Sequence, residues 1–310
     1  MSLVSRIRGR RGASGFGYAS TAEEVTDGLQ LHGQNILITG VNSGLGAESA
    51  RVLALRGANI LGAARTEDKA IQACRELGPS ALPFACELSE PSSVRACVTA
   101  VKEALQARGT KLDVIMCNAG IMALPKRQIR HGHELQFLTN HLGHFVLVTG
   151  LLDQLSERGR VVMLSSAAHD FAPRGGIYFN DLTLERYYLP WLAYGQSKLA
   201  NLLFARALAR RFSGTQRVAN ALHPGVIETS LMRHMGTFTQ TAIALTNKLL
   251  WKTVGEGAAT QCYVAVHPAV ASINGEYFVN SNIARPSRFG RDDALAEKLW
   301  QVSERIVATL

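Results

Sequence analysis

Short apolar runs alternate with segments of helical periodicity from residue 34 to the end of the chain. The apolar runs predict strands at 35–39, 59–64, 81–86, 112–117, 159–166, 217–222 and 276–279. The segments between them predict helices at 46–58, 68–77, 92–107, 132–155, 194–213, 256–266 and 292–307. This alternation is typical of an α/β protein with helices on both faces of a parallel sheet. We therefore expect one domain around a doubly wound sheet of about seven strands.

Three segments fall outside this alternation. Residues 1–33 are rich in Gly, Ser and Arg and then acidic, with one short helix predicted near 21–29; we expect them to form an extension before a domain spanning 34–310. Residues 167–192 are a polar, aromatic-rich insertion. Residues 230–251 combine Met and aromatic side chains with few charges, which is typical either of core or of a lid over a substrate.

Composition narrows the classes of function. The 33 Lys and Arg exceed the 24 Asp and Glu by 9, but the excess is scattered without a basic, aromatic-rich stripe, so nucleic-acid binding is not expected. Five cysteines without a CxxC motif are typical of reduced core thiols, which favours a cytoplasmic protein. No apolar run suits an integral membrane span. The arginine-rich first residues leave organelle targeting or a peripheral membrane contact as the alternative.

A glycine-rich turn joins the first strand to the first helix. Gly40, Gly44 and Gly46 stand where backbone would approach a pyrophosphate resting on a helix amino terminus, as in a Rossmann fold. The second strand ends at Arg65, where an arginine would pair with the 2′-phosphate of NADP, while an acidic residue would favour NAD. The sequence therefore favours NADP(H) over NAD(H), with an exposed loop arginine as the alternative.

Tyr194 and Lys198 are four residues apart at the start of a predicted helix, so they share one face. A nearby ammonium favours the phenolate and would lower the pKa of the tyrosine, which makes Tyr194 a candidate general acid and base. The alternative is an aromatic residue at a helix start, followed one turn later by a solvated lysine.

His131, His133, His141 and His144 lack an acidic or cysteine partner at ligand spacing, so no metal site is expected.

The chain resembles the short-chain dehydrogenase/reductase family in six motifs that occur in the family's order. They are Thr39-Gly40-x-x-x-Gly44-x-Gly46, Asn118-Ala119-Gly120, Asn140, Ser166, Tyr194-x-x-x-Lys198 and Pro224-Gly225. The segments 140–145, 165–169 and 223–226 resemble the retinol dehydrogenase and WW-domain oxidoreductase branch, and segments 12–16, 20–25 and 193–198 resemble Tic32-like members.

The resemblance implies the role of each site residue. Tyr194 would transfer the proton, Lys198 would hold the nicotinamide ribose, Ser166 would hydrogen-bond the substrate carbonyl and Asn140 would anchor a relay water. The implied cofactor contacts are Gly40, Asn42, Ser43, Gly44, Leu45, Gly46, Arg65, Glu87, Leu88, Asn118, Ala119, Gly120, Tyr194, Lys198, Pro224, Gly225, Val226 and Thr229. Hydride transfer would belong to the nicotinamide, with no metal.

Two positions depart from the family pattern. Glu87 stands where the family usually has Asp beside the adenine. Ser166 lies 28 residues before Tyr194, where the usual interval is about a dozen, because of the insertion between them. Ser165 is therefore the competing choice for the substrate-binding serine.

These observations predict an NAD(P)-dependent oxidoreductase that interconverts a hydroxyl and a carbonyl. Met122, Leu124, Phe171 and the segment 230–251 would give walls for a bulky, apolar small molecule. The alternative function is a redox-sensing or scaffold protein that binds NADP(H) without turnover. A sugar-nucleotide epimerase or dehydratase shares the Tyr and Lys pair but usually has another glycine spacing. The face of the helix at 292–307 could serve a homodimer or pack into the core.

Overall fold

A computed structural model describes residues 9–227 and 251–310, and these build one eight-stranded sheet. Its strands are β1 (Asn35–Thr39), β2 (Asn59–Ala64), β3 (Leu82–Ala85), β4 (Leu112–Cys117), β7 (Leu155–Leu164), β8 (Val218–His223), β9 (Tyr277–Val279) and β10 (Asn282–Ala284), while β5 (Ile129–Arg130) and β6 (His133–Glu134) form a separate hairpin. The strand order in the large sheet is β10-β9-β8-β7-β4-β1-β2-β3. All pairs in the large sheet are parallel except β9 with β10. The predicted doubly wound α/β fold is confirmed.

Helices cover both faces of the sheet. They are α1 (Ala22–Val25), α2 (Gly44–Leu55), α3 (Glu67–Leu77), α4 (Pro91–Ala107), α5 (Leu135–Phe137), a π-helical turn (Leu138–Leu142), α6 (Gly143–Leu151), α7 (Pro190–Arg211), α8 (Val254–Val266) and α9 (Asp293–Val307). One core cluster lies between the sheet and α4, α6, α7 and α9, and the other lies between the sheet and α1, α2 and α8. The apolar face of α9 packs on α7, so core burial accounts for the apolar periodicity of residues 292–307. A homodimer through this helix stays a prediction.

The eighth strand, β10, was not expected from the sequence. Only three residues long, it follows a two-residue turn in which Asn280 and Ser281 both have positive φ, 52° and 60°. A turn of this kind reverses a chain without a glycine and matches the twist of the paired strands. The short apolar pattern of 276–279 therefore shows one strand where the structure has a hairpin.

The helix predicted at 132–155 is shorter in the structure, where helical residues run only from Leu135 to Leu151, which corrects that prediction. His131 and Gly132 have positive φ and turn the β5–β6 hairpin. The carboxylate of Glu134 then accepts a hydrogen bond from the backbone N–H of Phe137 at 2.8 Å and starts α5. At the other end α6 stops at Leu151, and β7 begins at residue 155 instead of 159.

The described part of the amino-terminal extension packs against the second core cluster. Ala22, Val25 and Leu31 are buried there, and the Phe16 ring lies edge-on to the Tyr263 ring at 5.7 Å. The Asn282 side chain accepts from a backbone N–H and donates to a backbone carbonyl of the extension. Residues 9–33 therefore complete one face of the core, although the sequence places them before the domain. Within the described ranges, no helix combines the length and apolarity needed to cross a membrane.

Candidate active site

A cavity of about 1000 Å³ opens at the carboxyl edge of the sheet. This volume is at the upper end of the range for ligand pockets. The predicted site residues that line it are Gly40, Asn42, Ser43, Gly44, Leu45, Arg65, Glu87, Leu88, Asn118, Ala119, Gly120, Ser166, Tyr194, Lys198, Pro224, Gly225 and Val226. Gly46 and Asn140 are not among the lining residues, and Thr229 lies outside the described residues.

The glycine-rich turn has the geometry of an anion cradle. Gly40 and Gly44 have φ of 74° and 56°, which favour glycine. A Cβ on Gly46 would lie 2.2 Å from the Gly40 carbonyl oxygen, so the third glycine allows α2 to pack against the turn. The side chain of Ser43, which precedes α2, makes no capping hydrogen bond. Ser43 therefore does not occupy the N–H groups of the first turn of α2, which fits the binding of a pyrophosphate at this helix end.

At the far end of the cavity, Arg65 and Glu87 contact each other. The Arg65 Nε atom lies 3.0 Å from Glu87 Oε2, while Glu87 Oε1 accepts hydrogen bonds from the backbone N–H and the hydroxyl of Ser89 at 3.1 and 2.9 Å. Lys69, in the first turn of α3, lines the same end and was not singled out from the sequence. Two cations and one carboxylate thus surround the region where the adenosine ribose would bind.

The ends of β1 and β4 are joined by the side chain of Thr39. Its hydroxyl accepts hydrogen bonds from the backbone N–H groups of Asn118 and Ala119, at 3.0 Å each. The Asn118 side-chain amide donates to the Thr39 carbonyl at 2.9 Å. These bonds hold residues 118 and 119 beside the glycine-rich turn.

The structure brings Tyr194, Lys198 and Ser166 together at the near end of the cavity. Tyr194 and Lys198 lie one turn apart on α7, with Lys198 Nζ 5.7 Å from the centre of the tyrosine ring. The Tyr194 side chain is hydrogen-bonded to the Ser166 side chain. Lys198 Nζ donates to the Leu164 carbonyl at 2.9 Å, which holds the ammonium at the end of β7.

The two adjacent serines have different partners. The Ser165 hydroxyl donates to the backbone carbonyl of Lys198 at 2.8 Å and so attaches β7 to α7. The Ser166 hydroxyl caps the following 3₁₀ turn and bonds Tyr194. His169 holds the Ser166 carbonyl through Nδ1 at 2.6 Å. The geometry therefore favours Ser166 as the serine beside the reacting phenol.

Burial controls the protonation of the pair. It raises the pKa of Tyr194 to about 12, against the opposing effect of the Ser166 hydrogen bond, and it lowers the pKa of Lys198 to about 8. The prediction that Lys198 lowers the pKa of Tyr194 is therefore not met in this structure. Desolvation of the phenol dominates, and the Lys198 ammonium is directed toward the Leu164 carbonyl.

Asn140 lies behind the cavity in the π-helical turn. Its side-chain oxygen accepts from the Ile121 N–H at 2.8 Å, and its amide donates to the Ile121 carbonyl and to the Ser197 hydroxyl, at 2.9 Å each. A Cβ on Gly120 would lie 2.9 Å from Asn140 Oδ1 and 3.6 Å from Lys198 Nζ. The asparagine thus fixes the segment after β4 and the helix that carries the lysine, while its role as a water anchor stays a prediction.

Aromatic side chains form a wall from the mouth of the cavity to the phenol. The rings of Phe171 and Trp191 are 6.3 Å apart, and those of Trp191 and Tyr194 are 6.0 Å apart, both edge to face. Met122 also lines the cavity, whereas Leu124 is buried elsewhere, which corrects its assignment as a wall residue. Of the predicted lid, residues 230–250 lie outside the described residues. Lining residues that the sequence did not single out include Ile227 and His223.

Three of the four histidines singled out from the sequence, His131, His141 and His144, have side-chain partners within the fold. His141 Nε2 lies 2.8 Å from the Ser303 hydroxyl, and His144 bonds Thr39 and a backbone carbonyl. In the described ranges, no group of three His, Cys, Asp or Glu side chains is arranged to hold a metal ion.

A mostly parallel α/β sheet, an uncapped glycine cradle and a half-buried Ser166 beside the buried Tyr194 and Lys198 in one cavity define a dinucleotide-dependent oxidoreductase. Sequence comparison agrees, since the family model for short chain dehydrogenase matches residues 34–179. The chain is 39% identical over 322 residues to "Short-chain dehydrogenase TIC 32 B, chloroplastic" of Brassica napus, with all of both chains covered. It is 37% identical over 302 residues to "Retinol dehydrogenase 14" of Homo sapiens, covering 90% of this chain and 88% of that one.

A solved structure shows the same fold. The crystal structure of an uncharacterised protein from Mycobacterium Paratuberculosis superposes with a TM-score of 0.75 at 33% identity, covering 94% of this chain and 98% of that one. The protein belongs to the short-chain dehydrogenase family, as the six motifs implied. Oxidoreduction with a nicotinamide cofactor follows from that membership.

Proposed function

We propose that this protein interconverts a hydroxyl and a carbonyl on a bulky, mainly apolar small molecule, with NADP(H) preferred over NAD(H). The observation that carries the proposal is the single cavity that joins the glycine cradle, the Arg65 and Lys69 end, and the Ser166, Tyr194 and Lys198 set.

The chain's own residues supply orientation and a proton. When bound, the nicotinamide supplies or accepts the hydride. Ser166 and Tyr194 would both donate hydrogen bonds to the substrate carbonyl oxygen, since their side chains already contact each other. A pKa of about 12 keeps the phenol protonated at neutral pH, so Tyr194 is ready to give its proton to the alkoxide that forms during reduction. In the reverse direction the same oxygen would take the proton back.

Lys198 orients and stabilises the reacting groups. Of the three N–H bonds on its ammonium, one is directed to the Leu164 carbonyl. The remaining donors lie at a cavity-lining position beside Tyr194, suited to the hydroxyls of a nicotinamide ribose. A pKa of about 8 leaves the ammonium charged at neutral pH, and this charge would favour a developing phenolate.

The shape and polarity of the near end support a bulky apolar substrate. Phe171 and Trp191 line one wall, Met122 another, and Val226 and Ile227 follow β8. Apolar walls of this kind gain affinity in proportion to the apolar area removed from water. The polar atoms that would fix the reacting carbonyl are the hydroxyls of the Ser and Tyr pair.

The proposal is tested with purified protein, NADPH or NADH, and a panel of aldehydes and ketones that increase in apolar size. We expect oxidation of NADPH, with kcat/KM rising with apolar size and a lower Kd for NADPH than for NADH. Tight NADPH binding without oxidation by any compound would instead support the redox-sensing or scaffold alternative.

The cellular location is a separate proposal. We keep the cytoplasmic expectation, with the organelle as its alternative because the Brassica napus relatives are named chloroplastic. A fluorescent fusion of the full chain, compared with one in which Arg6, Arg8, Arg10 and Arg11 are changed to Ser, separates the two and leaves the core residues of the extension in place. Equal cytoplasmic signal from both supports the first, and organelle signal that depends on these arginines supports the second.

A further inference from the structure

His144 is fully buried in α6, behind the cavity, and both of its ring nitrogens have partners. Its Nδ1 atom lies 2.9 Å from the Asn140 backbone carbonyl, and its Nε2 atom lies 2.9 Å from the Thr39 hydroxyl. One imidazole therefore connects the π-helical turn to the end of β1. The π-helical turn contacts the helix that carries Lys198, because Asn140 bonds Ser197. The end of β1 leads directly into the glycine-rich turn.

The partners fix which nitrogen carries the proton. A carbonyl oxygen only accepts, so Nδ1 must carry hydrogen, and Nε2 of a neutral ring then accepts. The Thr39 hydroxyl accepts from the N–H groups of Asn118 and Ala119, which leaves its own hydrogen for Nε2. Its other acceptor within reach, the Met116 carbonyl, is farther away at 3.5 Å. The direction of each hydrogen bond is thus fixed: His144 Nδ1 donates to the Asn140 carbonyl, and the Thr39 hydroxyl donates to His144 Nε2.

The surroundings keep this ring neutral. Burial, together with the nearby Lys198 ammonium, lowers the pKa of His144 to about 4, against the effect of the Asn140 carbonyl. A second proton on Nε2 would meet the Thr39 hydrogen and remove the acceptor. The neutral, Nδ1-protonated ring is therefore the form that the fold requires near neutral pH.

We propose that His144 is a positioning residue that joins the cofactor cradle to the catalytic helix. Through Thr39 it orients the hydroxyl that holds residues 118 and 119 beside the glycine-rich turn. Through the Asn140 carbonyl it fixes the turn whose side-chain amide bonds Ser197, next to Lys198. The hydrogen-bond arrangement stands without the proposed reaction, whereas its effect on turnover rests on the proposed function.

The chain provides a matched control in His141. This histidine is also fully buried, three residues earlier, but its Nε2 contacts Ser303 of α9 and its ring packs among Phe137, Phe145 and Phe204. Among the described residues, these contacts join His141 to α9 and to the aromatic core and not to the residues that line the cavity, so loss of its hydrogen bond should affect stability alone.

The first test is the tautomer in the wild-type protein. Nitrogen NMR of the ¹⁵N-histidine-labelled chain, with His144→Phe used for assignment, should show this ring neutral and protonated at Nδ1 at pH 7 and still neutral at pH 5. A ring protonated at Nε2, or a ring that becomes cationic by pH 5, would overturn the proposal. Because this readout needs no substrate, it is independent of the proposed reaction.

The second test compares variants for NADPH Kd, kcat, KM and melting temperature. His144→Phe and Thr39→Val should each weaken NADPH binding and lower kcat by about tenfold at temperatures well below melting, and the double variant should lose less than the product of both. Thr39→Ser, which keeps the hydroxyl, should restore both values. His141→Phe should lower the melting temperature only.

Two outcomes decide between positioning and structural roles. If His144→Phe and His141→Phe lower the melting temperature alike and neither changes NADPH Kd, the positioning role is overturned. If His144→Phe does not fold, His144→Asn, which keeps a side-chain donor near the Asn140 carbonyl but loses the acceptor for the Thr39 hydroxyl, gives the same decision. Wild-type protein that binds NADPH without turnover would refute the proposed reaction, while a weaker Kd in the variants would still support the positioning role.

Discussion

Arg65 Nε lies 3.0 Å from Glu87 Oε2, so the residue assigned to the 2′-phosphate and the residue assigned to the adenine form an ion pair. The extra methylene of Glu87, compared with the Asp that the family usually has there, lets one carboxylate reach the arginine and Ser89 together. The cation that would select NADP is therefore partly neutralised by its neighbour, and cofactor preference depends on both residues.

Changing Glu87 should raise the preference for NADPH. Glu87→Gln keeps the shape but removes the negative charge near a 2′-phosphate, so NADPH should bind about two- to fivefold tighter, a range set by the strength of exposed ion pairs. NADH affinity should change little. Fluorescence titration of both cofactors checks this, with Arg65→Glu as the opposite variant, expected to shift the preference toward NADH. Equal ratios in all three proteins would show that neither side chain meets the phosphate.

Removing the Tyr194 hydroxyl should stop the chemistry while leaving the cofactor bound. Tyr194→Phe keeps the ring against Trp191 but loses the proton donor, so kcat should fall by about 10²–10⁴-fold with NADPH Kd nearly unchanged. Single-turnover NADPH oxidation with any accepted carbonyl compound measures the loss. A rate within a few fold of wild type would mean that another group, or water, supplies the proton.

Acid should destabilise the fold through its buried histidines. Burial lowers the pKa of His141 to about 3 and those of His144 and His223 to about 4, whereas a histidine in the unfolded chain titrates at 6.5. Between these values the unfolded chain binds protons that the native state does not, so the unfolding free energy is full above pH 6.5 and falls as pH drops toward 4. The loss is on the order of 1.4 kcal/mol per pKa unit for each ring.

Urea unfolding at a series of pH values measures that slope. His141→Phe should reduce the number of protons taken up on unfolding by about one, because one of the depressed sites is gone. A stability that stays flat from pH 6.5 to 5 in the wild type would show that these rings are charged or exposed in the folded protein.

Local pattern predicted seven strands of the large sheet, because buried strands are short apolar runs, and the motifs at Gly40, Asn118, Ser166 and Pro224 follow those runs. What it missed depends on contacts between distant segments. The Arg65–Glu87 pair and the His144–Thr39 bond join residues whose meeting only the folded sheet establishes. The direction of the Tyr194 pKa was wrong for the same reason, since the depth of burial is a property of the whole fold and not of an i, i+4 spacing.

The aromatic wall should set the size of substrate that the cavity accepts. Phe171 is 60% exposed at the mouth, whereas Trp191 lies between it and the phenol, so the two test different depths of one surface. Trp191→Ala should raise KM for bulky apolar carbonyl compounds by about tenfold or more, through lost apolar contact, and should change KM for small aldehydes little. Phe171→Ala should have a weaker effect on the bulky compounds alone, because part of its ring already contacts water. A uniform drop in kcat for all substrates would instead mean that the indole orients Tyr194 and does not contact the substrate.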